Sequence, residues 1–269
     1  MIQKVFKRFE VFVDFINGHR LFWELDPIFK AAAPYVFTVQ LSGTLDFSEL
    51  IWELPVGDFY YAVDNSNIKQ NWSPDYIYRV KLLTGDGTVY YSDSLNFDAG
   101  PTSRRKYVLA KAIMQKEAVQ RKYAGFEGYL LKRKTFGIVD TPNVDPISGM
   151  VLTDNVGDYG IGIVGGYYNP LPLPFWVISS TKDRSMSPSG NNLTEGVEKI
   201  VRTIGFPPVN TKDVVVKSIN NQRYSVEGIG YTYFPSTTIA IIQRLDLKLI
   251  PNTDTVYQIP VPDRTNVCH

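Results

Sequence analysis

Residues Ser103–Lys134 read SRRKYVLAKAIMQKEAVQRKYAGFEGYLLKRK, the one long stretch with helical character and no proline. Positive charge collects there: Arg104, Arg105, Lys106, Lys111, Lys116, Arg121, Lys122, Lys132, Arg133 and Lys134 face only Glu117 and Glu127. Gly100-Pro101 marks a boundary before it, and Thr102 or Ser103 can supply the oxygen that caps the first turn. Gly125 ends the helix as a left-handed C-cap. At about 100° per residue, Val108, Leu109, Ala112, Ile113, Val119 and Tyr123 fall within one arc of about 140°, with Lys116 in its middle. Tyr107, Met114 and Ala118 form a smaller apolar strip on the opposite side, and Arg104, Lys111 and Lys122 line up between the two. A helix apolar on two sides is either wedged between parts of its own chain or shared with a neighbouring subunit. The basic stripe reads either as a solvated face or as a contact with an acidic partner, protein or DNA.

Upstream of the helix, short β-rich runs alternate with turn signals: Lys4–Phe15, Arg20–Glu24, Tyr35–Leu41, Leu50–Glu53, Phe59–Ala62, Tyr76–Leu83 and Thr88–Ser92. In YIYRVKLL the alternation sends Tyr76, Tyr78, Val80 and Leu82 one way and Arg79 and Lys81 the other. Gly85-Asp86-Gly87 then predicts a tight hairpin, because these residues tolerate positive φ. About seven short strands in roughly 90 residues is the spacing of a β-sandwich. With Trp23 in an early strand and a tyrosine-rich penultimate one, the pattern resembles a fibronectin type III or immunoglobulin-like domain, a likeness that speaks to fold and not to function. Trp23 is expected as a core anchor, Trp72 in SNIKQNWSPD as a more exposed residue, and His19 in INGHRLF as an exposed turn histidine.

Downstream, residues 138–168 are rich in glycine and asparagine and read as a long ordered loop or interaction arm. NPLPLPFWVI leads on to the polar segment Thr181–Asn192, the most disorder-like part of the chain. β-Character returns in Glu198–Ile204, Asp213–Lys217, Arg223–Ile229 and Ile239–Leu249, a small meander or barrel. The tail Tyr257–Pro262 (YQIPVP) reads as extended, since its prolines fix φ and remove donors, and such a tail can pair with a neighbour's sheet edge.

The 269 residues suffice to bury a real core, and a net charge of +1 gives no bulk argument for nucleic acid. Cys268 is the only cysteine, so neither an internal disulfide nor a cysteine-rich metal site can form. Met1–Asn17 mixes charged and apolar residues and lacks the core of a signal peptide, and no run approaches the ~20 apolar residues of a membrane helix. A soluble protein, made and used in the cytosol of its host, is expected. No nucleophile–base pair or phosphate-binding loop is visible. Gly160–Gly166 (GIGIVGG) lacks the βαβ context of a dinucleotide site. Acid pairs such as Glu24 with Asp26 or Asp154 with Asp158 are no more than a chain with 27 acidic residues offers anyway.

Three stretches together resemble the virion proteins of the tailed-bacteriophage neck, the head-to-tail connector. They are RRKYVLAKAIMQKEAVQRKYAGFEGYLLKRKTFG, GIGIVGGYYNPLPLPFWV and TKDVVVKSINNQRYSVEGIG with the following IIQRLDLKLIPNTDTVYQIPVP. The last is similar to the small β-barrel of phage head-closure and joining proteins. The likeness spans roughly residues 102–262, with the front sandwich as an appended module. One departure stands out. Where such relatives carry two C-x2-C pairs with the spacing of a zinc ribbon, this chain has Asp140, Asn143, Asn155 and Asp158, a set poor in zinc ligands. The expectation is a loop without zinc or other metal, held by hydrogen bonds and packing.

The sequence thus predicts a mainly β, α+β chain: a sandwich over 1–98, a central basic helix and its exit over 99–136, an extended arm over 137–193, and a barrel-like domain with its tail over 194–269. The resemblance implies a non-enzymatic structural subunit of a phage virion, assembled in the bacterial cytoplasm, without cofactor or membrane. It implies a ring of about six or twelve copies that meets the portal and the tail-terminator or tail-tube proteins, with DNA passing through the channel as a further candidate partner. Arg104, Arg105, Lys111, Lys122, Lys132, Arg133, Lys134, Tyr257, Ile259 and Val261 are the candidate interaction residues. A baseplate or other tail component is the alternative reading. A carbohydrate-binding or wall-degrading protein that uses exposed aromatics is the remoter one.

Overall fold

The alternation in the first hundred residues becomes eight strands: β1 (Phe6–Asp14), β2 (Gly18–Leu25), β3 (Val36–Ser42), β4 (Leu50–Gly57), β5 (Tyr61–Asp64), β6 (Ile77–Leu83), β7 (Val89–Tyr91) and β8 (Leu95–Asn96). The structure is a computed structural model describing residues 5–14, 18–26, 28–29, 31–64, 77–96, 104–152, 155–179, 198–233 and 240–262. Trp72, the capping residues Thr102 and Ser103, the segment Thr181–Asn192 and Cys268 lie outside the described residues. The chain is mostly β, with a single α-helix among the described residues. It forms two compact units interleaved in sequence. One contains Met1–Lys111, Lys134–Pro142 and Phe234–Ile239; the other contains Ala112–Arg133, Asn143–Tyr233 and Ala240–His269.

In the first unit, one antiparallel sheet runs β1-β2-β5 and another β4-β3-β6-β7, with β8 also paired to β6. This is a Greek-key order of the kind immunoglobulin-like sandwiches use. The period of two decides which side chains go inside. Phe37, Val39 and Leu41 of β3 and Tyr78, Val80 and Leu82 of β6 are buried with Leu21 and Trp23 of β2. Trp23 anchors this core as expected, its ring 5.5 Å from that of Phe37. At the predicted hairpin, Gly87 takes a φ of 82° and the Asp86 carboxylate accepts the Thr88 N–H at 3.1 Å. Phe136, from beyond the helix, sets its ring edge-on to Tyr35 and Phe37 at 5.8 and 5.6 Å, which stitches the helix exit into this core.

His19 corrects the expectation of an exposed turn residue. It lies on β2 opposite Asp64 and is buried. The Tyr78 hydroxyl donates to Asp64 Oδ2 at 2.7 Å and meets His19 Nδ1 at 2.8 Å. Because that hydroxyl proton goes to the carboxylate, Nδ1 is the donor to the phenol oxygen. Burial lowers the imidazole pKa from its usual 6.5, and Asp64 only partly offsets this. The strand begins within INGHRLF, at Gly18.

The second unit is one seven-stranded antiparallel sheet made of β9 (Gly128–Leu131), β10 (Leu171–Pro172), β11 (Phe175–Ser179), β12 (Glu198–Ile204), β13 (Val214–Lys217), β14 (Gln222–Tyr233) and β15 (Ala240–Leu249), in the order β10-β9-β13-β14-β15-β12-β11. It curls into a half-barrel. Phe126, two residues before β9, exchanges backbone hydrogen bonds with Phe175 of β11 at 2.7 and 3.1 Å, which ties one end of the sheet to the other. Gly128 makes that approach possible: a Cβ there would lie 2.5 Å from the Phe175 ring and 2.6 Å from the Val216 carbonyl oxygen. The barrel expected within 194–269 therefore draws β9, β10 and β11 from earlier in the chain. Gln243 locks its rim, donating to the carbonyls of Ile204 and Pro207 at 2.8 Å each and accepting from Val209 N–H at 2.8 Å.

Candidate functional site

The candidate residues fall into three groups, and the chain treats each differently. The first is the carboxyl-terminal segment. Instead of running out as a strand, it forms a 3-10 helix at Thr255–Gln258, capped by Asp254, whose carboxylate accepts the Val256 N–H at 2.9 Å. Val256 and Ile259 are buried in a cluster with Tyr129, Leu131, Val214 and Val216 of β9 and β13, and Val261 packs against it. Tyr257 donates its hydroxyl to the Ile250 carbonyl and accepts the Arg223 N–H, both at 3.1 Å. The expected pairing of Tyr257, Ile259 and Val261 with a neighbour's sheet edge is thus corrected: they are completed by their own half-barrel.

Arg223 makes this closure possible. Its guanidinium is buried and donates to the carbonyls of Val256 and, at 2.7 Å, Ile259, satisfying acceptors the proline-bearing tail cannot pair in a ladder. Burial lowers its pKa, and Tyr257 and other neighbours work against that shift. Nothing in NNQRYSVEG singles out this arginine, which alternation places opposite the buried Tyr224 and so in solvent.

The second group is Lys132-Arg133-Lys134. Lys132 is 4% exposed, its Nζ 2.9 Å from Asp213 Oδ2 and 3.2 Å from the Pro208 carbonyl. Asp213 also accepts the N–H groups of Arg133 and Asn210 at 3.0 and 2.7 Å. Burial raises the Asp213 pKa, with Lys132 opposing most strongly. Tyr167, bridged to Arg133 along the backbone, is pushed up to about 12, again chiefly by burial. Lys132 is therefore held in a buried ion pair within its own chain. Arg133 and Lys134 are half-buried.

The loop beyond carries the four positions noted for their spacing. Asn143 donates to Asp158 Oδ2 at 2.8 Å, and both residues are buried. Asp158 also accepts the N–H groups of Gly160 and Gly162 at 3.1 and 2.9 Å, while Asn155 Oδ1 accepts those of Gly157 and Asp158. Asp140 is half-buried. The Asn155 and Asp158 oxygens thus serve the loop's own amides. Among the described residues no cluster of three or more His, Cys, Asp or Glu side chains is placed to hold a metal.

The third group lies on α1 (Arg104–Ala124). Its sheltered side holds Ile113, Met114, Ala118 and Arg121, all half-buried, and Glu117, which is buried. Glu117 Oε1 lies 3.9 Å from Arg202 Nη1 of β12. The larger apolar arc points the other way: Val108, Leu109, Val119 and Tyr123 are more than half exposed, Tyr123 at 79%. Arg105, Lys116 and Lys122 are exposed beside it and Lys111 is half-buried; the Arg104 side chain lies outside the described set. The helix rests on Met114 and Ala118 of its smaller strip together with Ile113 from the edge of the larger, and presents the rest of the larger arc. A helix meeting only its own chain would do the reverse.

No protein-family model matches the chain, and no curated protein shows significant similarity to it. No helix among the described residues is long and apolar enough to cross a membrane.

Proposed function

We propose that this chain is a structural subunit of a tailed-phage virion, forming an oligomeric ring of the neck that joins portal to tail. The observation that carries the reading is the outward apolar arc of α1, Val108, Leu109, Val119 and Tyr123, flanked by Arg105, Lys116 and Lys122. An apolar stripe with cations on its margins, exposed on a chain with a well-filled core, is the composition of a surface completed by another protein. The three stretches that resemble neck proteins supply the placement, and the half-barrel with its attached helix is compatible with a ring subunit. No catalytic role is assigned.

The test is physical and biological together. The purified full-length chain should form rings in negative-stain electron microscopy. Co-expressed with a portal protein of the same phage, it should co-purify as a complex. A chain that stays single at high concentration, ignores its portal and binds a polysaccharide column would overturn the reading.

A further inference from the structure

A second exposed apolar surface lies on the same compact unit, at the end of the hairpin 143–152. Val144 and Val151 bridge its arms, and Asp145 N–H donates to the Met150 carbonyl at 2.9 Å. The Asp145 carboxylate ties the turn, accepting the N–H groups of Ile147 and Ser148 at 3.1 and 3.3 Å and the Ser148 hydroxyl. Gly149, at a φ of 68°, donates its N–H to the Asp145 carbonyl at 2.8 Å. At the base Leu152 N–H donates to the Asn143 carbonyl at 2.8 Å, and Asn143 is held by Asp158. This well-tied tip presents Ile147, Met150 and Leu152 to solvent, Ile147 at 95% exposure. A turn fixed by this many hydrogen bonds loses little further freedom when it docks.

We infer that the tip of hairpin 143–152 in one copy docks on the exposed face of α1 around Val119 and Tyr123 in the next copy. This deepens the ring reading by naming its contact, and it rests on that reading only for self-assembly, not for the virion. Charge selects the pairing. The tip carries Asp145, and residues 143–152 contain no lysine or arginine, whereas the α1 face is bordered by Lys116 and Lys122. The Asp145 carboxyl is held below its ordinary pKa by the Ser148 hydroxyl and the turn amides, so it meets those lysines as an anion. A twofold pairing of α1 with α1 would oppose lysine to lysine, and tip against tip would oppose Asp145 to Asp145. Tip against helix is attractive, and it is heterologous: each copy offers a different surface to each of two neighbours, the contact type that makes a ring where its rotation closes.

The experiment uses the full-length chain in light scattering coupled to size exclusion, with Met150→Asp on the tip and Val119→Asp on the helix. Each variant alone should collapse from the assembly to the single-chain mass. Mixed one to one they should give a dimer and nothing larger, because one intact tip and one intact helix remain. In a Cys268→Ser background, Ile147→Cys with Tyr123→Cys should yield an oxidised ladder of covalent oligomers. All the substituted apolar side chains are more than half exposed, and matching circular dichroism verifies folding. If the wild type assembles, both variants assemble equally and no ladder forms, this contact is wrong while self-assembly stands. A wild type that is single at every concentration sinks both. A chain whose Lys116 and Lys122 are needed for retarding DNA in a gel, while assembly ignores the tip, sinks the contact and leaves self-assembly standing.

Discussion

The carboxyl-terminal segment and helix α1 begin as equals: both look, in sequence, like surfaces waiting for a neighbour. The chain closes one and leaves the other open. Arg223 donates to the tail's Val256 and Ile259 carbonyls, and Val256 and Ile259 sink into the half-barrel. Around α1 the sheltered side holds Ile113, Met114 and Ala118, while Val119 and Tyr123 stand in solvent. Apolar composition alone does not distinguish the two cases. What distinguishes them is whether the rest of the chain supplies hydrogen-bonding partners and a cavity to fill.

The closed side should fail hardest when its polar supports are removed. Lys132→Met would leave the buried Asp213 carboxylate without its cation, and losing one partner of a buried pair costs about 3–5 kcal/mol. Urea unfolding should show that loss. A change under ~1 kcal/mol would mean the pair is dispensable and the half-barrel is held by packing alone. Arg223→Leu should cost somewhat less, about 2–4 kcal/mol, because the Ile259 carbonyl loses the guanidinium and the Val256 carbonyl keeps only the Ile259 N–H, while the site can still be filled by carbon. Its sharper readout is local. Limited proteolysis should begin to cut after Tyr257, and a tail that stays protected would show that Arg223 is not its clamp.

Much of this was legible in the sequence, and the misses share a cause. β3, β6 and β12 followed from alternation, and the hairpin at Asp86 from turn chemistry. β9 did not. GYLL is buried at all four positions, and a continuous apolar run has no period by which to tell strand from helix exit. β11 was hidden behind the prolines at 170, 172 and 174. Lys132 and Arg223 are buried against acceptors that no local sequence pattern announces. The carboxylate of Asp213 and the carbonyls of Val256 and Ile259 lie far along the chain. His19 fell to the same blindness, its partner Tyr78 being remote in sequence. The orientation of α1 was left open, since two apolar strips permit two ways of lying down.

The sandwich offers a pH-dependent check on how a closed region behaves. His19 is held neutral by burial, so its folded pKa lies below 6.5. The unfolded chain then binds the proton more readily. The stability this group contributes is present above pH 6.5 and is lost as the pH falls through the depressed folded value. Urea midpoints of the first unit should therefore drop between pH 7.5 and pH 5, and His19→Gln should flatten that part of the profile. An unchanged slope in the variant would assign the acid sensitivity to other groups.

The smallest expected effect bears most on the open side. Val119→Gln and Tyr123→Gln remove apolar surface that the single chain never buries, so each should shift the unfolding free energy by no more than ~0.5 kcal/mol. Measured on dilute, unassembled protein, such near-silence would mark these side chains as idle within one copy. If the same substitutions weaken association, a division of labour follows: Arg223 and Lys132 serve the fold, and the α1 face serves the neighbour. A loss of 2 kcal/mol or more in the dilute chain would instead mean that Val119 and Tyr123 are covered intramolecularly, and the contrast between tail and helix would disappear.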